Sequence, residues 1–227
     1  MKSHVIIALL LLIFVGCVSE NEQKGLDSIA NLYDAQTSFS KSFNNSVGVK
    51  ARKTFNVKVS GSKRIDTLEP TVTTANIAML MYESFTQKEK GNYTHIDVEL
   101  INSKNDTASY YYPVEVLNKI SAKSKSYHDF SQGLVDHDFE KVDNLKDVNE
   151  IPNPIAKGLE NKISAMEERL GKLKGYESFG VAETNDEKGT IFQFQGYLIF
   201  SNEVRKPYFT VTDATEGKDK LIGFRIF

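Results

Sequence analysis

The sequence predicts an α+β fold of two modules, in which helices pack on curled antiparallel sheets and the second module is cone-like. Three observations carry this. Apolar residues recur at three- and four-residue steps in several segments before Gly175. Short stretches such as residues 55–59 and 93–101 instead alternate strictly between apolar and polar. After Gly175 only strand-like runs remain.

The chain opens on a targeting segment. Lys2 precedes an unbroken apolar run that stops at Cys17, the single cysteine of the 227 residues. The run is about a dozen residues, too short to cross a ~30 Å hydrocarbon core and suited to a secretory signal. Phe14-Val15-Gly16-Cys17 resembles the lipobox of bacterial lipoproteins, with Phe14 standing where leucine is usual. The resemblance implies cleavage before Cys17, lipid on its sulfur and new N-terminus, and attachment to the cell envelope, on the periplasmic face or the cell surface. An ordinary cleaved signal peptide is the alternative. Residues 1–16 are therefore expected as the signal and 17–24, polar and acidic, as a flexible tether. Acidic residues just after the cysteine also resemble the surface-export signal of Bacteroidetes lipoproteins.

The first module is expected over residues 25–117 in the order α-β-α-β-β. Leu26, Ile29, Leu32, Tyr33, Phe39 and Phe43 fall at helical steps, predicting a helix over 26–43. Residues 55–59 form a half-buried strand ended by Ser60-Gly61-Ser62. A second helix over 72–86 places Ala75, Ala78, Met79 and Tyr82 on one side. Residues 93–101 then turn Ile96, Val98 and Leu100 inward and His95, Asp97 and Glu99 outward. A turn at residues 103–106 leads into the returning strand over 107–116, whose far end Pro113 marks as an edge.

The second module is expected over residues 118–227. A helix over 121–135 buries Tyr127, Phe130 and Leu134, and Asn153 and Pro154 offer a cap and first turn for another, ending at Gly175. Four strands follow, over 178–183, 190–200, 208–212 and 221–227. Phe130-Ser131-Gln132-Gly133-Leu134-Val135-Asp136-His137-Asp138-Phe139, Leu170-Gly171-Lys172-Leu173, Tyr197-Leu198-Ile199-Phe200 and Leu221-Ile222-Gly223-Phe224-Arg225-Ile226 are packing motifs in that order. They resemble the nuclear-transport-factor-2-like, cystatin-superfamily α+β cone. That resemblance implies a fold and no particular activity. Alternation places Phe192, Phe194, Tyr197, Ile199, Phe209, Val211, Phe224 and Ile226 inside the cone, an apolar interior that is either a filled core or a pocket for an apolar ligand.

Composition excludes several chemistries. The formal charge of −2 spreads over 28 basic and 30 acidic side chains, so nucleic acid is not an expected partner. With Cys17 acylated no thiol remains for a disulfide, a thiolate metal site or a nucleophile. There is no phosphate-cradling glycine loop, Gly-x-Ser-x-Gly elbow or His-Glu-x-x-His pair, and no cofactor or metal is expected. His95, Asp97 and Glu99 share a strand face that suits a divalent cation, yet the same row is what any solvated sheet face displays. His128 and His137 are nine positions apart, on opposite faces of an ideal helix. Asp136, His137 and Asp138 fall at the expected mouth of the cone, where a histidine between carboxylates can act as a general base.

Tyr110, Tyr111 and Tyr112 are the other local peculiarity: consecutive strand residues alternate faces, so at least one ring is expected to be exposed as a protein or sugar contact. The expected function is a non-enzymatic binding lipoprotein, anchored through lipid on Cys17, that engages an envelope protein or small apolar ligand, with the 110–112 edge as its surface. A hydrolase or isomerase using His137, or an immunity-type inhibitor of a secreted toxin, are the alternatives.

Overall fold

The computed structural model describes residues 18–45, 51–186 and 189–227. Its fold is α+β with two four-stranded sheets. In chain order the elements begin with α1 (Glu20–Tyr33), β1 (Gln36–Asn44), β2 (Arg52–Ser60), α2 (Pro70–Ser84), α3 (Gln87–Asn92), β3 (His95–Ile101) and β4 (Thr107–Pro113). They continue with α4 (Val114–Val135), α5 (Phe139–Asp143), α6 (Ala156–Leu170), β5 (Leu173–Asp186), β6 (Gly189–Phe200), β7 (Arg205–Asp213) and β8 (Leu221–Ile226).

The N-terminal segment departs from expectation. Residues 20–24, expected as tether, are the first turns of α1. Ser19 accepts the Glu22 N–H (3.1 Å) while the Glu22 carboxylate accepts the Ser19 N–H (2.8 Å), a reciprocal cap. The helix expected over 26–43 ends at Tyr33, where Asp34 takes a left-handed conformation (φ 48°) and reverses the chain. Phe39 and Phe43 belong to β1, so the first module reads α-β-β-α-α-β-β. Its sheet runs β1-β2-β3-β4 and is mixed: β2 and β3 are parallel, joined through α2 and α3, and both outer pairs are antiparallel.

The second sheet is an antiparallel meander, β5-β6-β7-β8. The preceding helix α6 stops at Gly171 (φ 82°), not Gly175, and Leu173 already starts β5. Nor does Asn153 cap it: the Asp143 carboxylate reaches across to accept the Ile155 N–H at 2.6 Å.

The expected boundary at 117/118 falls inside α4, which runs unbroken across it because Leu117 and Ile120 are core residues. One hydrophobic core joins both sheets. Helix α2 lies between them, against β3 and β4 on one side and β5 on the other, and is accordingly buried on more than one face. Asn76 of α2 donates to the Tyr33 hydroxyl (2.9 Å) and to Ser178 O (3.3 Å), and Tyr33 donates to Phe179 O (3.3 Å), so α1, α2 and β5 meet at one hydrogen-bonded node.

The interior of the second sheet also differs from expectation. Phe192, Phe194, Gly196, Leu198 and Phe200 face inward from β6, and Tyr208, Thr210 and Thr212 from β7. Tyr197, Ile199, Phe209 and Val211 therefore lie on the opposite face, while Phe224 and Ile226 keep their inward place beside Thr210 and Tyr208. The inward hydroxyls answer serines of α4: Ser131 meets Tyr208 at 2.5 Å and Ser126 meets Thr212 at 3.1 Å. Lys123, one turn earlier and buried, donates to Thr215 O (2.5 Å), Lys218 O (3.0 Å) and Asp219 Oδ1 (2.8 Å), clamping the β7–β8 loop onto α4. Lys123→Met keeps the volume and removes all three bonds, so urea unfolding should show a loss of about 2 kcal/mol.

Candidate functional site

The tyrosine strand sorts its rings by parity. In the β3–β4 ladder Asp97 faces Tyr111, while Ile96 faces Tyr112 and Val98 faces Tyr110. Tyr110 and Tyr112 thus share the side of the apolar face. The Tyr112 hydroxyl lies 2.6 Å from Thr74 Oγ1 and 3.3 Å from Thr71 O, which ties it to α2, and burial pushes its pKa up to about 12. Tyr111 points the other way and is 61% exposed. Of the three expected contact residues, one is free to touch a partner as its main role.

Tyr111 belongs to a polar face spanning all four strands. Ser40, Asn56, Asp97 and Tyr111 form one row across the sheet, and Ser38, Lys58, Glu99 and Ser109 form the next. They line a shallow depression of about 450 Å³. Arg52, at the start of β2, lies over the Tyr111 ring at 5.0 Å, and its Nη2 donates to both Asp97 carboxylate oxygens at 2.7 and 2.8 Å. The carboxylate holds the guanidinium, and the guanidinium holds the ring. Withdrawal from water raises the Asp97 pKa, with Arg52 and His95 pulling against it. Burial lowers the His95 pKa, reinforced by Arg52 and opposed by Asp97.

The row His95, Asp97 and Glu99 does face outward, but its carboxylates are divided between different cations: Asp97 pairs with Arg52 and Glu99 with Lys58 at 2.9 Å. Among the described residues no group of three or more His, Cys, Asp or Glu side chains is arranged to hold a metal ion.

Asp136, His137 and Asp138 each serve a helix end. Asp136 accepts from Gln132 Nε2 (2.8 Å), and Asp138 caps α5 by accepting the Lys141 N–H (3.1 Å). His137 sits at φ 57°, its Nδ1 3.2 Å from Val135 O and its Nε2 3.1 Å from Glu167. Glu167, nearly buried, also accepts from Lys172 Nζ (2.9 Å) and the Leu173 N–H (2.9 Å), so the histidine fastens the end of α4 to the α6–β5 turn. Burial pushes the Glu167 pKa up, but these donors outweigh it and hold the carboxyl below its ordinary value.

Cys17 and the expected signal lie outside the described residues. Among those described, no helix is long and apolar enough to cross a membrane. In comparison with known proteins, the chain matches no family model, no curated protein and no solved structure.

Arg52 is the site residue that sequence reasoning missed. It stands 45 positions from Asp97 at a strand end, and no local pattern announces the pair.

Proposed function

We propose that this chain is a lipid-anchored, non-enzymatic binding module of the bacterial cell envelope, and that it contacts its partner through the polar face of β1–β4 around Tyr111. The observation that carries the reading is Tyr111 itself, a large exposed ring held in place by an arginine that is in turn locked on Asp97. A ring fixed before contact loses little entropy on binding. The surrounding Ser38, Ser40, Asn56, Lys58, Glu99 and Ser109 supply donors and acceptors beside the apolar surface of Phe39, Val57 and Val98. That chemistry suits a hydroxyl-rich partner, an envelope glycan, whose C–H faces stack on an aromatic ring while its hydroxyls find polar side chains. The small apolar ligand expected from sequence would leave these polar side chains unanswered and fits the face less well. The role of Asp136, His137 and Asp138 in helix ends is consistent with a non-enzymatic reading.

The test is retention of the full chain on immobilised envelope glycans. Tyr111→Ala should weaken binding at least tenfold, about 1.4 kcal/mol or more. Arg52→Met, which frees the ring without removing it, should have a smaller effect. Tyr112→Phe should leave binding unchanged. Tyr111→Ala binding as wild type would sink the proposed surface. Loss of envelope attachment in Cys17→Ser, with glycan binding intact, would separate anchoring from recognition.

A further inference from the structure

A lipid on Cys17 would leave the folded body almost no leash. Only Val18 stands between Cys17 and Ser19, the cap of α1, and Val18 packs against the core. An extended chain spans at most about 3.6 Å per residue, so the start of α1 would be held within roughly 10 Å of the acylated cysteine. A flexible tether as far as Lys24 would instead reach about 25 Å and let the body turn freely.

The contacts of α1 define which surface lies at that point. Thr37 donates to Leu26 O (3.5 Å) and Lys41 to the Glu22 carboxylate (2.8 Å), so α1 and β1 run in opposite directions and the end of β1 overhangs the start of α1. There Phe43 stands opposite Lys53 in the β1–β2 ladder and is 62% exposed. It shares a strand face with Phe39, which stacks on Phe55 in the interior. Helix α3 closes the same end, because the Glu89 carboxylate that caps it with Thr86 also accepts the Ser19 hydroxyl. The acids nearest the cap have cations of their own: Glu20 pairs with Lys24 at 2.9 Å and Glu22 with Lys41. Lys53 and Lys88 are exposed and make no ion pair among the described residues.

We infer that this end of the molecule rests on the bilayer, with Phe43 among the lipid headgroups and Lys53 and Lys88 on their phosphates. The inference deepens the anchoring proposed above and depends on it. An apolar ring flanked by cations is the chemistry of an interfacial contact, and the short connection supplies the proximity that so small a patch needs. A protein docking here would have to fit into the gap of roughly 10 Å that the connection leaves beneath the body. Strand β2 starts at this end and its nine residues lead about 30 Å away from it. The first sheet therefore stands upright on the membrane. Ser40, in the row of Tyr111, is three strand positions above Phe43, about 10 Å, and the polar face opens sideways.

The experiment places the full chain, purified with its lipid, in vesicles of phosphatidylethanolamine and phosphatidylglycerol that carry a nitroxide on the headgroup. With Cys17 acylated, one introduced cysteine takes a fluorophore without competition. Gln87→Cys reports on α3. Lys63→Cys reports on the far end of β2, next to Ser62, whose hydroxyl donates to Tyr33 O where α1 ends. Across that distance quenching should be at least about fivefold stronger at position 87 than at position 63. Phe43→Ser combined with Lys53→Glu, both at exposed positions, should cut the quenching at 87 at least twofold while the protein still floats with the vesicles. Equal quenching at the two positions overturns the inference, and so does an unchanged value in the double variant. Quenching at 87 that falls as the protein is packed more densely assigns this face to a second copy and overturns it too. A chain that floats no better than Cys17→Ser overturns the anchoring as well.

Discussion

Replacing Glu22 by alanine should cost about 3 kcal/mol of folding stability in urea unfolding, a large fraction of what a domain of this size possesses. The residue is 2% exposed. Its carboxylate receives Lys41 Nζ at 2.8 Å, the Tyr93 hydroxyl at 2.7 Å and the Ser19 N–H at 2.8 Å, so it joins the start of α1 to β1 and to the segment before β3. Truncation strips three donors at once, and the Tyr93 ring that carries one of them packs with Phe55 and Phe85. A residue in a solvated tether would change stability by less than about 0.5 kcal/mol, so the two descriptions differ severalfold in one measurement. The pH dependence follows from the same contacts. Burial pushes the Glu22 pKa up, but Lys41, Ser19 and Tyr93 together hold it below the ordinary 4.5. A depressed carboxylate contributes fully above its unfolded value and loses that contribution as pH falls through the folded one. Wild type should therefore weaken on acidification below about pH 4.5, and Glu22→Gln should show a shallower loss over the same window.

Glu22 also shows why part of the fold was legible and part was not. Strict alternation identified β2 and β3, and their inward residues Phe55, Val57, Val59, Ile96, Val98 and Leu100 are all core. Helical steps running from Leu26, Ile29, Leu32 and Tyr33 to Phe39 and Phe43 predict a helix where β1 lies. The opposing signal was present in Ser38, Ser40 and Ser42, which alternate with Phe39, Lys41 and Phe43 in the period of a strand. Composition also hid the start of α1. Ser19-Glu20-Asn21-Glu22 looks like solvated linker by polarity, and reads as a capping box only when the Ser-x-x-Glu spacing is taken first.

The sites divide in the same way. Tyr111 could be placed by parity alone, because its exposure is a property of one strand. Arg52 could not, because its role arises only when β2 and β3 lie side by side. In β6 the alternation is continuous from Phe192 to Phe200, but an inward glycine at position 196 carries no apolar signal. The expected lining therefore slipped to Tyr197 and Ile199, and from there to the wrong face of β7. The hydroxyl-bearing face of Tyr208, Thr210 and Thr212 stayed unseen because Ser126 and Ser131 of α4, which partner two of the three, lie more than 70 positions away.

That same glycine sets the second large effect. Gly196→Ala should destabilise the protein by about 3 kcal/mol, although alanine is ordinarily the better residue within a strand. An added Cβ would overlap the Tyr127 hydroxyl and come within 2.7 Å of Tyr208 Cε1 and 2.9 Å of its Cζ. Both rings are held by neighbours on other sides. The two are stacked 5.8 Å apart at 11°, Tyr208 is bonded to Ser131 at 2.5 Å, and Tyr127 stacks on Phe194 on another side. Combining Gly196→Ala with Tyr127→Phe removes the overlapping oxygen and leaves the Tyr208 contact. The double variant should recover about half of the loss, a coupling of 1–2 kcal/mol, well above the ~0.5 kcal/mol scatter of independent sites. Strict additivity would mean that Tyr208 alone resists the methyl group, and that the Tyr127 hydroxyl has free space on the Gly196 side. Coupling of the expected size would tie the glycine and the two stacked tyrosines into one packing decision.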